Sequence, residues 1–569
     1  MMIRLSMLQH KLLNHYNLYI LGLILLAINL PVSLFGMSVS IFILLGNWIL
    51  EGDFRKKLNI LKKRKSITVF VSIVLIHGFW LLNTSDFQFA FNDIKIKLSL
   101  VALPLILGTS RPLSQKQLKI ILLFFISSVF VATIISTVVL SGLTGQPVTD
   151  IRDISIFISH IRFALLINVA IFLPGYFLLS KEYQPVRLEK VIYPLVIIWL
   201  VLFLFLLRSK TGIGILLTCF YIFFGLWISR IPNFMLKYFM LIILITIPLL
   251  SISYITRSIA DFYRVEVANP ENIEQTTVNG RSYSHDFGNK QLENGRYVWL
   301  FLCEEELHNE WNRISTVDYN SLDRKGQEVK YTLIRYLTSK GFRKDSLGVS
   351  KLDEEDITNI EEGLANYIYR SKAGLKPLIY NIIWQIDVYR KGGNPSGHSV
   401  TQRMEYLKTA IQIIRNNFWF GVGTGDLQSA FNDQYELSKS RLTPEWRLRA
   451  HNQFVTFFIA FGVFGFIYCV FAVVYPVILE KGFKNYFFMM FFLIAFLSML
   501  NEDTLETHAG ATFFSFFYSL FLFGRELRIV DCGFLIDRET EREGGWETGR
   551  DLPGYEVPGR VCEGDKEAG

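Results

Sequence analysis

Long apolar runs alternate with short polar connections along most of this chain, and the runs repeatedly reach about 17–25 residues with almost no charge, the length that an α-helix needs to cross the roughly 30 Å hydrocarbon core of a bilayer. Taken in order they predict about twelve spans, near 17–32, 33–50, 67–83, 94–110, 118–140, 155–179, 190–207, 211–229, 234–256, 451–478, 485–500 and 510–524. The first two form one apolar stretch interrupted at Asn29-Leu30-Pro31, read as two short helices in preference to a re-entrant hairpin. The one large hydrophilic stretch, 257–450, carries apolar positions at helical spacing. These are Val329, Leu333, Tyr336 and Leu337, then Ile357, Ile360, Leu364 and Tyr367, then Met404, Leu407, Ile411 and Ile414, which should pack on each other or on the membrane surface. The expected fold is an all-α integral membrane protein, with helices 1–9 in residues 1–256, a large, mainly helical loop over 257–450, and helices 10–12 in 451–528. The Gly-, Glu- and Arg-rich residues 529–569 read as a disordered tail.

Composition agrees with the pattern. Of 569 residues 51% are hydrophobic and 19% charged, and 49 are Phe, which excludes a cytosolic enzyme. Five cysteines are too few for a secreted disulfide scaffold, and only Cys303 falls in the large loop. The net charge of +8 is spread in short clusters between spans, so it reads as a topology signal and not as a nucleic-acid surface. Basic residues crowd every even-numbered connection, from Arg55, Lys56 and Lys57 after the second span, through Lys181, Arg187 and Lys190 after the sixth, to Arg525 and Arg528 after the twelfth. Acids mark the odd ones: Asp86 and Asp93, Asp150 and Asp153, then Glu502, Asp503 and Glu506. Because Lys and Arg accumulate in cytoplasmic loops, both termini are expected in the cytoplasm and the large loop outside, in the periplasm of a bacterial inner membrane protein. The first apolar run is too long for a cleavable signal peptide and should stay as an anchor.

Ionisable residues in or beside spans carry a desolvation cost and are candidates for function. They gather at the outer ends: His160 and Arg162, Arg208 and Lys210, Arg447 and Arg449 before His451, and Glu502, Asp503, Glu506 and His508. A single such residue is ordinarily one that snorkels to water. A set of cations converging on the outer leaflet, against the inside-positive trend, points instead to an anionic, lipid-attached substrate. The acids on the short turn after residue 500 are expected to be solvated, with Glu502 and Asp503 orienting a cation or the acceptor as the weaker alternative. Gly421-Val422-Gly423-Thr424-Gly425-Asp426 lacks the Gly-Lys-Ser/Thr of a nucleotide loop and reads as a flexible turn, with a phosphate cradle as the weaker alternative. His285 and His398 stand apart from any second ligand, so no catalytic metal and no cofactor are expected, and the substrate itself must supply the driving force. At 100° per residue Gly462 and Gly465 would lie about 20° and 40° from His451 on a continuous helix, setting the histidine on a packed seam.

At this string the chain resembles the O-antigen ligase superfamily, whose hallmark is His-(Asn/Ser/Gln), nine residues, then Gly-x-x-(Gly/Thr/Tyr); here it reads His451-Asn452, nine residues, Gly462-Val463-Phe464-Gly465. Further similarities are Ser209-Lys210-Thr211-Gly212 at the family's Ser-Arg-Gly position, Arg403 upstream of the Gly-x-Gly-x-Gly segment, and Ser159-His160-Ile161-Arg162. The resemblance implies a metal-independent inverting glycosyltransferase, acting at the outer face on an undecaprenyl-diphosphate-linked glycan and passing it to an acceptor hydroxyl such as that of lipid A-core. It assigns His451 to the acceptor, with Arg403 and Lys210 in the catalytic set and Arg162, Arg208 and Arg449 on the carrier diphosphate. Lys210 departs from the usual arginine and offers a point charge in place of a bidentate fork, which Arg208 could supply. A polysaccharide polymerase or a protein O-oligosaccharyltransferase would share these features, whereas a transporter would require repeated halves with ions at the midplane.

Overall fold

A computed structural model describes residues 14–145, 150–180, 182–266, 270–370 and 374–525; Lys181, Arg528, Cys532, Cys562 and the expected tail over 529–569 lie outside the described residues. Each predicted apolar run is helical. In chain order the helices are α1 (His15–Val32), α2 (Leu34–Leu50), α3 (Phe54–Lys63), α4 (Lys65–Phe79), α5 (Phe87–Lys97), α6 (Ser99–Thr109), α7 (Gln115–Leu140), α8 (His160–Leu179), α9 (Glu189–Leu206), α10 (Lys210–Ile228) and α11 (Phe234–Tyr263). After the large loop come α12 (Glu304–Ile314), α13 (Val329–Lys340), α14 (Ser346–Ser350), α15 (Glu354–Glu361), α16 (Leu375–Arg390), α17 (Ser399–Asn416) and α18 (Leu427–Leu437). The chain then returns to the bundle in α19 (Gln453–Leu479), α20 (Tyr486–Met499) and α21 (His508–Leu522).

Among the described residues eight helices are long and apolar enough to cross a membrane unaided, and the pair α2 and α3, bent by 107°, makes up to nine. The other predicted spans are short or broken: α5 and α6 meet at Leu98, and α20 and α21 have 14 and 15 residues. At about 1.5 Å per residue α21 is only about 22 Å long. Its surroundings explain this, because every residue from Gly510 to Leu522 is buried, so α21 runs through the centre of the bundle against protein and not lipid. It packs on α6 and α20, while α1 packs on α2 and α7, α4 on α19, and α8 on α9. Ser515 anchors it through a 2.6 Å hydrogen bond to the Ser99 carbonyl.

Backbone N–H groups at a helix start have no intrahelical partner, and in an apolar medium each needs one. Polar caps supply it: Asn14 for α1, Ser33 for α2, Ser114 for α7, Ser159 for α8, Ser209 for α10, Asn452 for α19 and Thr507 for α21. Ser33 also marks the reversal between α1 and α2, which return side by side with Asn47 hydrogen-bonded to the His15 carbonyl, as two short helices. The outermost element is α11, on which only Ser258 is buried.

The large loop contains a lobe with its own core, built on Val298, Leu307, Trp311, Val329, Leu333, Tyr336 and Leu337. The expected stripe on α13 is therefore packed, and Ile360 of α15 joins it. The stripe on α17 behaves differently: Met404, Leu407 and Ile411 are exposed and lead into Trp419 and Phe420, whose rings lie against Phe464 of α19. An apolar face continuous with a membrane helix suits the bilayer surface. A two-residue hairpin, β1 (Leu292–Glu293) and β2 (Arg296–Tyr297), turns at Asn294-Gly295, both at positive φ. Gly295 is required there, since a Cβ would lie 2.0 Å from the Arg264 carbonyl oxygen just past α11.

Candidate functional site

The stretch before α19 is held in place from two sides. Tyr406 on α17 donates to the Trp446 carbonyl at 2.9 Å, and Tyr435 on α18 donates to the Leu448 carbonyl at 2.6 Å. Asn452 then accepts from the N–H groups of Phe454 and Val455 at 3.0 and 3.1 Å and donates to the Leu500 carbonyl at 2.9 Å. His451 therefore precedes the helix and has a left-handed φ of +50°, a conformation costly for a non-glycine residue. This corrects the expectation of one continuous helical face. Gly462 does not share such a face either, because its φ of 63° and ψ of −169° break α19.

The break has a cause in packing. A Cβ on Gly462 would lie 2.3 Å from the Trp419 carbonyl oxygen, and one on Gly421 would lie 2.5 Å from the Ala460 carbonyl. The backbone of 418–423 is docked into the opened helix by three hydrogen bonds, Val463 N–H to Phe418 O at 2.8 Å, Val422 N–H to Ile459 O at 2.9 Å and Gly423 N–H to Ala460 O at 2.9 Å. On its other side the same segment meets the turn after α4, where Cβ atoms on Gly423 and Gly425 would lie 2.1 and 2.0 Å from the carbonyl oxygens of Asn83 and Asp86. Asp426 accepts from the N–H groups of Ser85 and Asp86 at 2.6 and 3.0 Å. The Gly-x-Gly-x-Gly string is thus neither a flexible turn nor a phosphate cradle: its amides at Gly421, Val422, Gly423 and Gly425 are already bonded within the protein.

The acids after α20 are not solvated, which is a second correction. Glu502 and Asp503 are buried, because their turn feeds the central helix α21 and is enclosed by α8, α17 and α19. Around the Glu502 carboxylate stand three of the residues singled out by sequence: Arg403 Nη2 donates to Oε1 at 3.2 Å, while Arg162 Nη1 and His451 Nδ1 both lie 3.6 Å from Oε2. Arg162 also donates to the Asp503 carbonyl at 3.1 Å, and its Nε is buried without a hydrogen-bond partner among the described residues. Arg403 gives the carboxylate only Nη2, and its side chain remains 46% exposed.

A second acid, Glu506, organises the neighbouring layer. It accepts from Lys97 at 3.1 Å and from Gln453 at 3.0 Å, with Arg449 Nη1 at 3.7 Å, and Lys97 pairs in turn with Asp93. Gln453 accepts from Leu505 N–H at 2.7 Å, locking the start of α19 to the acidic turn. Asp503 takes a 2.7 Å bond from Thr456. Burial opposes ionisation of Glu502 and Glu506, but the His451 imidazole and the Arg162 and Arg403 guanidiniums for the first, and Lys97 and Arg449 for the second, hold both below the usual carboxylate range. Burial and the charge of Glu506 push Asp503 above it.

The cations are therefore not an unbalanced cluster, since buried acids face Arg162, Arg403, Arg449 and His451. Arg447 leaves the site altogether and pairs with Glu436 on α18. Arg208 and Lys210 flank the buried cap Ser209 and are exposed, with no ion pair holding either among the described residues. They belong to the same end of the bundle as Arg162, because Gly212 packs against Ala164: a Cβ on this glycine would lie 2.6 Å from that of Ala164. His508 instead meets Ser38 at 3.1 Å. Sequence reasoning underrated Glu502 and did not single out Lys97 or Gln453; the one signal available was the density of acids in a turn next to an apolar span.

Geometry and chemistry together describe a histidine oriented by a carboxylate beside guanidiniums with unused donors. Comparison with known families gives an independent result: residues 365–470 match the family model described as O-antigen ligase. The matched segment includes Arg403, the glycine string, Arg449, His451 and the break at Gly462. It supports the O-antigen ligase superfamily. No curated protein matches the chain.

Proposed function

We propose that this chain of the O-antigen ligase superfamily moves a glycan from an undecaprenyl-diphosphate carrier to a hydroxyl of lipid A-core, at the periplasmic face of the bacterial inner membrane. The observation that carries the reading is the meeting of His451, Arg162 and Arg403 at the buried Glu502 carboxylate, within and beside the matched segment. In this reading His451 Nε2 takes the proton of the acceptor hydroxyl as its oxygen attacks the anomeric carbon. The bond from that carbon to the diphosphate oxygen breaks on the opposite face, inverting the centre, and the electron pair leaves with undecaprenyl diphosphate. Charge grows on the leaving diphosphate, and fixed guanidiniums in a water-poor site stabilise it more than they stabilise the ground state. Arg162 and Arg403 serve there, and Arg449 beside Glu506 and the exposed Lys210 and Arg208 add positive charge at the same end of the bundle. Glu502 is a positioning residue that sets the tautomer of His451. The energy comes from the sugar–diphosphate bond, so the reaction calls for neither metal nor cofactor.

The test is mass spectrometry on purified protein mixed with an undecaprenyl-diphosphate oligosaccharide and lipid A-core, with each also supplied alone. Glycan on lipid A-core that disappears in His451→Ala is the expected result. Lengthened carrier-linked glycan without acceptor would replace this reading by a polymerase, and unchanged transfer in His451→Ala would remove the histidine from the chemistry.

A further inference from the structure

Away from the Glu502 centre, a cleft of about 520 Å³ opens between the lobe and α16, bordered by the end of α11. We propose that it binds the sugar rings of a glycan chain. The inference rests on the transferase reading for its biological sense, and on the composition of the cleft for its chemistry. A pyranose ring has an apolar C–H face and a rim of hydroxyls, so a site for it combines exposed aromatic faces with paired acceptors and donors. The cleft has both. Trp384 on α16 is exposed and Tyr369 is half-buried, and no hydrogen bond occupies the Trp384 indole N–H among the described residues.

The polar side is built, not incidental. Glu293, buried, receives Arg335 Nε on one carboxylate oxygen at 2.7 Å and Asn366 Nδ2 on the other at 2.8 Å. Arg335 Nη2 reaches the same oxygen as its Nε, at 2.6 Å, so it is the oxygen facing Asn366 that keeps a further lone pair for a hydroxyl. Asn381 and Asp387, each about one turn from Trp384 on α16, add amide and carboxylate groups to the same wall. A lipid tail would cover these groups without using their remaining hydrogen-bonding capacity, which is costly, and the volume falls within the roughly 300–1,000 Å³ typical of ligand sites.

Position agrees with chemistry. The cleft starts where α11 ends, at Phe262 and Tyr263. Its floor, α16, packs on α17, the helix that carries Arg403. Trp384 lies against His398 at the start of α17, with ring centres 5.2 Å apart, and Tyr389 of α16 is hydrogen-bonded to Glu405. A glycan whose reducing end sits at the Glu502 centre would have a wall to follow outward. The matched family segment begins at residue 365, so the floor belongs to it, whereas Glu293, Asn294, Lys325 and Arg335 of the roof come from the lobe before it.

The test uses the full chain in lipid nanodiscs and two water-soluble probes without carrier or lipid. One is the polysaccharide released by mild acid from the host cell's carrier-linked pool; the other is the core oligosaccharide freed from lipid A. Saturation-transfer NMR and tryptophan fluorescence read binding. One probe should bind, and its identity assigns the cleft to the donor or the acceptor glycan. Trp384→Ala should weaken that binding by at least about tenfold. Asn381→Ala, at an exposed position, should weaken it as well and repeats the test should Trp384→Ala accumulate poorly. Failure of both probes to bind the unmodified protein, or binding unchanged in both variants, would overturn the proposal. Glycan binding with no transfer to any acceptor would refute the transferase reading alone, and transfer without binding of either probe would refute the cleft alone.

Discussion

Replacing Glu502 by glutamine removes one charge from the point where His451, Arg162 and Arg403 meet, with little change in shape. In the proposed reaction the His451 ring becomes an imidazolium as the acceptor proton transfers, and the carboxylate stabilises that charge. At the observed 3.6 Å separation, a unit pair interacts by about 4.6 kcal/mol at an effective dielectric near 20, and by about half as much near 40. These figures correspond to losses of roughly 2,000-fold and 50-fold in kcat. Arg162 and Arg403 share the same carboxylate, so the lower end applies, about 50-fold. The effect should be selective. Without Glu502 the two guanidiniums are less neutralised, so KM for the carrier should stay level or fall, whereas Arg403→Ala should raise it. Initial rates of carrier consumption at varied carrier concentration separate these effects, with thermal unfolding as the control for folding and Glu502→Asp expected in between. A Glu502→Gln protein that folds and keeps kcat within about threefold, or loses activity only through KM, would refute the positioning role.

Gly462→Ala should destabilise the fold by about 2–5 kcal/mol, from a glycine-only conformation and an impossible approach to the Trp419 carbonyl, while Gly214→Ala, whose Cβ would meet nothing within 4 Å, should be neutral or stabilising. Thermal unfolding in detergent compares the two, and equal melting temperatures would contradict the docked-backbone explanation. Asp426→Ala should cost about 0.5–1.5 kcal/mol, because the exposed N–H groups of Ser85 and Asp86 exchange the carboxylate for water; wild-type stability would mean that water replaces the carboxylate without loss. Burial raises, and the adjoining imidazole and guanidiniums more than offset, the affinity of Glu502 for a proton, so its pKa lies below the usual 4.5. A carboxyl depressed on folding contributes stability that is complete above its unfolded pKa and lost as pH falls through its folded one, so the melting temperature should be level from about pH 8 to 5.5 and drop below about pH 4.5, less steeply in Glu502→Gln. A decline beginning near pH 6, or an identical acid limb in the variant, would assign the effect to other groups.

The run of apolar residues was enough to locate the helices, because a segment in lipid must satisfy its own backbone hydrogen bonds and hydropathy then reads secondary structure directly. Polar caps such as Ser209 and Asn452 were equally visible at the boundaries. The His451-Asn452 string, with Gly462 and Gly465 beyond it, and the positions of Arg162 and Arg403 marked the right end of the molecule. Sequence periodicity failed where the helix itself stops: counting 100° per residue presumes an unbroken α19, and the chain opens it at Gly462 to admit another backbone.

Hydropathy and capping are local properties, summed over neighbours along the chain, so the sequence by itself determined which segments are helices and which residues lie near their ends. Whether an acid on a short turn meets water or guanidinium is decided by elements far away in sequence. Glu502 is buried only because α21 is the central helix, and α8, α17 and α19 bring Arg162, Arg403 and His451 to it from 340, 99 and 51 residues away along the chain. The glycine string likewise has its purpose only where three backbones meet. Charge convergence and close backbone approach depend on distances through space, which tertiary packing alone sets.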